Sequence, residues 1–183
     1  MSTQRTAGAC ILDSSTFIHF CIAGQTRLLV LLRSPLAFPE YIFRVELGSR
    51  AYPETREKAQ HYVSRKEIGI KHLSLEELDL IASLKAPRRA GLGELSCAII
   101  AHRERGVVLC DDQKCRNWIS THLPPVLWES IEDILLSAAE QSHLSEFELD
   151  QIQKSLASNR YQCRCDLRTE HLMRALNRTQ MKT

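Results

Sequence analysis

Four acidic positions stand out by where they fall along the chain. Asp13 ends the apolar run Cys10-Ile11-Leu12. Glu46 lies on a helix-like stretch after Pro39. Glu94 follows Gly91-Leu92-Gly93 at the head of an apolar helical pattern. Asp111 and Asp112 end the apolar run Val107-Val108-Leu109-Cys110. Carboxylates beside core strands are costly unless something compensates them, and a bound cation is the usual compensation. A hard divalent ion such as Mg2+ takes oxygen ligands and keeps several waters, so a few convergent carboxylates suffice. One such ion polarises a phosphoryl oxygen and lowers the pKa of a water. Two ions about 3.5–4 Å apart clamp the attacking and leaving oxygens. Asp13, Glu46, Glu94 and Asp112, from four separate segments, are therefore a candidate set for metal-assisted phosphodiester hydrolysis.

Taken singly, most of these residues have plainer explanations. Glu94 reads as a first-turn acid stabilised by its helix dipole. Glu46 reads as a solvated helix residue. Asp111-Asp112 reads as a cap for the helix beginning near Lys114. Asp13 is the exception, because Ser14, Ser15 and Thr16 already supply cap candidates. The combination carries the weight, above all Gly-x-Gly-Glu upstream of a strand ending in Asp-Asp.

The elements that must position these acids alternate. Short apolar runs at residues 9–12, 36–38, 68–70, 107–110 and 126–128 predict strands. Helical patterns fall at 26–33, 40–47, 53–66, 75–84, 95–103, 114–122 and 130–139. Pro39 fits the first turn of its helix. Ser74 with Glu77, and Ser145 with Glu148, are capping boxes; Ser130 and Asp133 form a cap pair. Pro87 to Gly91 reads as a loop, and Gly91-Leu92-Gly93 as a tight turn that lets Glu94 approach the sheet. The pattern predicts an α/β fold with a parallel sheet covered on both faces. Ligands of such sheets gather at the carboxyl ends of the strands, near a topological switch point. Asp13 and Asp111-Asp112 fall at two such ends.

The composition sets bounds. The 183 residues suit one domain, spanning 9–140, with a helical C-terminal extension at 141–183. A net charge of +2 leaves no whole-chain footprint for a polyanion, so nucleic acid must be met by local cations or metal ions. The seven cysteines are scattered, residues 1–8 read as a polar arm, and the first ten residues carry no apolar signal core. A reducing cytoplasm with free thiols is the expectation. No run approaches ~20 apolar residues, so no membrane partner is expected.

The ordered segments resemble a known family. Ile11-Leu12-Asp13-Ser14-Ser15, Phe38-Pro39-Glu40 leading to Val45-Glu46-Leu47, Gly91-Leu92-Gly93-Glu94 and Val108-Leu109-Cys110-Asp111-Asp112-Gln113-Lys114-Cys115-Arg116 are similar to the PIN-domain ribonucleases. Within them the chain resembles the VapC-like toxins of bacterial toxin–antitoxin pairs, over residues 9 to about 136. The resemblance implies a three-layer α/β/α sandwich and Mg2+- or Mn2+-dependent cleavage of single-stranded RNA. It makes Asp13, Glu46, Glu94 and Asp112 the metal carboxylates, with Asp111 as the other candidate for the fourth place. Asp112 is favoured because Asp111 more nearly continues the strand. Ser14 or Ser15 would hydrogen-bond a metal ligand or its water. Arg88, Arg89, Lys114 and Arg116 flank the rim as phosphate contacts, with solvated surface charge as the equal alternative. The resemblance also implies an antitoxin that occludes the acids, and a homodimer or higher oligomer. Residues after about 140 extend past a minimal PIN domain.

Other chemistry fits the sequence less well. Cys163-x-Cys165 with His171 departs from the usual zinc spacing. His19 reads as structural rather than as a base. A non-catalytic PIN-like module, binding nucleic acid or a protein, is the rival to the nuclease. Leu167, His171, Leu172 and Ala175-Leu176 give the extension a partly apolar face, which favours packing over nucleic-acid binding.

Overall fold

The apolar runs become strands buried from both sides. The computed structural model describes residues 8–84 and 90–180. Five parallel strands form one sheet, in the order β3-β2-β1-β4-β5. They are β1 (Cys10–Leu12), β2 (Leu36–Pro39), β3 (Ile68–Lys71), β4 (Val107–Leu109) and β5 (Leu127–Glu129). In register, Ile11 faces Ala37 on one side and Val108 on the other; Leu36 pairs with Ile68, and Val108 with Trp128. Every residue of β1 and β2 is buried, as expected for central parallel strands. The edges are wetter: Gly69 and Leu127 are exposed.

Helices flank the sheet: α1 (Ser14–Ile22), α2 (Thr26–Arg33), a π-helix (Ile42–Arg50), α3 (Pro53–Ser64), α4 (Leu75–Ser83), α5 (Leu92–Glu104), α6 (Gln113–His122), α7 (Ile131–Glu140), α8 (Glu146–Ser158) and α9 (Leu167–Gln180). Helix α5 lies along β1, β2 and β4, with α4 and α6 beside it. Helix α1 packs with α2, α3, α7 and α8. The α/β architecture with a parallel central sheet is as expected, and its layering is compatible with a three-layer sandwich. The sheet and the α1–α7–α8 side share one core that includes Phe17, Phe20, Phe38, Ile134 and Leu149. A second core joins α5 and α6 through Leu95, Ile99, Cys115 and Ile119.

The capping boxes at Ser74 and Ser145 form as the sequence predicts, and the Ser130–Asp133 cap pair closes into a third box. Several details differ. Helix α1 has no counterpart in the sequence reading. Pro39 ends β2 and directly precedes the helix expected from Glu40, whose turns become π rather than α from Ile42. Helix α5 begins three residues early, at Leu92. Strand β4 stops at Leu109, so Cys110 is buried just beyond it. The polar arm at 1–7, and Arg88 and Arg89 in the 87–91 loop, lie outside the described residues. The stretch after residue 140 is helical and packs: Leu149, Ile152, Leu156 and Leu167 join the main core. Leu172 and Leu176 are exposed, so only the start of α9 uses its apolar face inward.

Candidate active site

The chain leaves β1 toward β2 and leaves β4 toward β5. The carboxyl ends of these neighbours are therefore the switch point of the sheet, where parallel α/β folds open a crevice. Asp13 follows β1 there, and its N–H donates to the Leu109 carbonyl at the end of β4 (3.1 Å). Asp13 also caps α1: its Oδ2 accepts from the Ser15 N–H (3.1 Å) and from the Ser15 hydroxyl. The side chain is 4% exposed. Burial pushes its carboxyl up to about 7. The Ser15 hydroxyl pulls the other way, and the charges of Glu94 and Glu46 push it further up.

Glu46 comes from the π-helix, and its Oε2 accepts from the Ser14 hydroxyl. It is also set by Gly93. A Cβ built on Gly93 would lie 2.5 Å from Glu46 Oε1, so the glycine makes room for the carboxylate. Gly91 does the same for Glu94, whose Oε2 would lie 2.8 Å from an added Cβ. The expected tight turn is thus narrower: Gly91 is the N-cap of α5, and Leu92 and Gly93 already belong to the helix. Burial raises the Glu94 carboxyl, and the charges of Glu46 and Asp112 add to this. The amides of Glu94 and Gly91 offset part of it.

The Asp pair divides. Asp112 is exposed and caps α6, its Oδ1 accepting from the N–H groups of Lys114 and Cys115 at 2.9 Å each. The plain reading of it as a cap is correct, yet its charge still acts on Glu94. Asp111 is occupied elsewhere. Its Oδ1 accepts from the Ile131 N–H (2.9 Å) and the Tyr161 hydroxyl (3.1 Å), and burial pushes its carboxyl up to about 6. Tyr161 was not foreseen, and nothing in its neighbourhood in sequence marks it.

Beneath the acids lies a floor of thiols. Cys97, Cys110 and Cys115 are buried, and all three are raised first by burial and then by nearby carboxylates, Asp13 among them. They stay protonated at neutral pH and act as small apolar residues. Lys114 is exposed and Arg116 half-buried; neither forms an ion pair among the described residues. His19 lies against Tyr161, ring centroids 4.7 Å apart, with burial lowering its pKa. That matches a structural role.

Asp13 and Asp112 are held by donors in the helices they cap, and Glu46 by Ser14 across the fold. Asp13 Oδ1, Glu46 Oε1 and Asp112 Oδ2 accept no hydrogen bond among the described residues. This all-oxygen donor set has the chemistry of a Mg2+ or Mn2+ site. Among the described residues, however, no three His, Cys, Asp or Glu side chains converge as a ready-made metal cage, and this includes Cys163, Cys165 and His171. All seven cysteines are free. No helix of the described residues is long and apolar enough to cross a membrane. No protein-family model, curated protein or solved structure matches the chain.

Proposed function

We propose that this chain is a PIN-like, divalent-metal-dependent endoribonuclease that hydrolyses phosphodiester bonds of single-stranded RNA, and that it is the toxin of a toxin–antitoxin pair. One observation carries the nuclease reading. Asp13 is kept almost wholly out of water at the switch point, within the field of Glu46 and Glu94, and no Lys or Arg pairs with it among the described residues. Buried like charges without a counter-charge are expensive, and a cation relieves all of them at once. Asp13, Glu46, Glu94 and Asp112 would hold Mg2+ or Mn2+, which when bound supplies Lewis-acid polarisation of the phosphate and a more acidic water.

The other roles belong to the chain itself. Ser14 and Ser15 orient the carboxylates of Glu46 and Asp13. Lys114 and Arg116 offer unpaired cations to the RNA backbone. The thiol floor gives the acids no competing strong donor. The antitoxin and the oligomer rest on the family resemblance alone.

A non-catalytic binding module is the second reading. It is favoured by the absence, among the described residues, of three ligands already gathered at coordination distance. Cleavage of labelled single-stranded RNA in Mg2+, Mn2+ or EDTA separates the two. Cutting that needs metal and disappears in a folded Asp13→Asn supports the nuclease. Equal cutting by both proteins points to a contaminant or another site. No cutting and no metal binding by either leaves the binding module.

A further inference from the structure

The segment between α8 and α9 does more than connect them. Tyr161 reaches back fifty residues to Asp111 Oδ1 (3.1 Å), while its ring lies on His19 of α1. Three residues later the Arg164 N–H and Nε donate to Glu132 at 2.5 and 2.6 Å. Glu132, in the first turn of α7, is only 4% exposed. One short stretch therefore satisfies two carboxylates, the half-buried Asp111 just after β4 and the buried Glu132 at the head of α7. Asp111 is further tied to α7 by the Ile131 N–H (2.9 Å), and Thr16 of α1 approaches its other oxygen at 3.5 Å.

Asp112 is the next residue, and it has no tertiary hydrogen bond of its own among the described residues. Its partners are the amides of Lys114 and Cys115 in the helix that it starts. The place of its carboxylate is therefore set by the turn, and the turn is anchored through Asp111. We infer that Tyr161 and Asp111 are positioning residues, which hold the turn between β4 and α6 so that Asp112 faces Glu94 across the rim. This deepens the nuclease reading and rests on it.

The geometry makes a sharp distinction. Both strong donors to Asp111 meet the same oxygen, Oδ1. An asparagine retains that acceptor and loses only the charge. A positioning residue tolerates this exchange, and a metal ligand does not. Groups that support metal ligands in this indirect way are worth roughly 10–100-fold in affinity or activity.

The test uses the full chain, Mn2+ titration calorimetry, steady-state RNA cleavage and hydrogen exchange at the Lys114 and Cys115 amides. Asp112→Asn is expected to lose Mn2+ affinity by at least about 10-fold, and Asp111→Asn to stay close to wild type. Tyr161→Phe should lower kcat and Mn2+ affinity about 10-fold with KM unchanged, and speed exchange at both amides. Loss of Mn2+ in Asp111→Asn as complete as in Asp112→Asn would make Asp111 a ligand and overturn the assignment. Wild-type affinity and exchange in Tyr161→Phe would overturn it too. If the wild type binds no Mn2+ and Asp13→Asn behaves identically, the nuclease reading is what fails. Exchange at the two amides then decides by itself whether Tyr161 sets the turn.

Discussion

Gly93→Ala should separate catalysis from stability. The added Cβ would sit 2.5 Å from Glu46 Oε1, 3.2 Å from Cδ and 3.3 Å from Oε2, whereas ordinary contact begins at 3.4 Å. The carboxylate must move by about 1 Å, and it ends a flexible side chain, so the backbone need not follow. The shift costs the bond from the Ser14 hydroxyl, about 1 kcal/mol. Replacing glycine by alanine inside a helix returns up to about 1 kcal/mol, less in a first turn. Net stability should therefore change by no more than about 1 kcal/mol. Activity is less forgiving, since a misplacement of about 1 Å in a catalytic group can cost roughly 100-fold. Thermal melts in EDTA, Mn2+ binding and RNA cleavage on the same preparation give the comparison. Unchanged cleavage would show that the position of Glu46 is irrelevant to the chemistry. Cleavage and stability falling together by several kcal/mol would show that Gly93 is there for packing.

Burial pushes the Asp13 carboxyl up from 3.8 to about 7 in the folded chain, so between these values the folded state holds the extra proton and loses stability as pH rises. In EDTA, denaturant melts should show a loss of up to about 4 kcal/mol between pH 4 and 8, which Asp13→Asn largely removes. Asp111, pushed up to about 6, leaves a smaller slope of the same sign, and a full slope in the mutant would refute the assignment to Asp13. Arg33, 4% exposed and 2.5 Å from Glu129, forms a largely buried pair. Arg33→Ala should cost about 3–5 kcal/mol, lowering Tm by at least about 6 °C, while the folded fraction still cleaves RNA. Lys114→Ala should weaken RNA binding at every sequence and reduce the log–log salt slope by about 0.7; an unchanged slope would make Lys114 simple surface charge.

Local chemistry was legible, and distant chemistry was not. The boxes at Ser74, Ser130 and Ser145 are reciprocal bonds within four residues, so their pattern is written in sequence order. The strand carrying Asp13 was visible because a doubly covered strand is apolar throughout. Helix α1 was hidden for a different reason: Thr16, Phe17, Phe20 and Cys21 mark a buried face, but the half-buried face carries Ile18 and Ile22, so the apolar contrast between the faces is small. Pro39 pointed to the helix that begins at Glu40 but hid its own place in β2, because its fixed φ suits a strand end as well as a helix start. The π-helix has no sequence signature comparable to a cap, so the reach of Glu46 could be guessed and its route could not. The expectation that favours Asp112 over Asp111 came from strand geometry; the bonds from Ile131 and Tyr161 that occupy Asp111 Oδ1 come from far along the chain and have no mark in the sequence around it.

The placement of Tyr161 also imposes an order in time. Ribosomes add roughly 5–20 residues per second, so the fifty residues between Asp111 and Tyr161 take about 3–10 s to make. Throughout that interval the nascent chain already contains Asp13, Glu46, Glu94 and Asp112, while the residues that steady the last of them do not yet exist. Completion of the rim is thereby deferred until Tyr161 and Arg164 have been synthesised and have docked. A chain that cuts RNA would gain from this delay, because it emerges beside the messenger that encodes it.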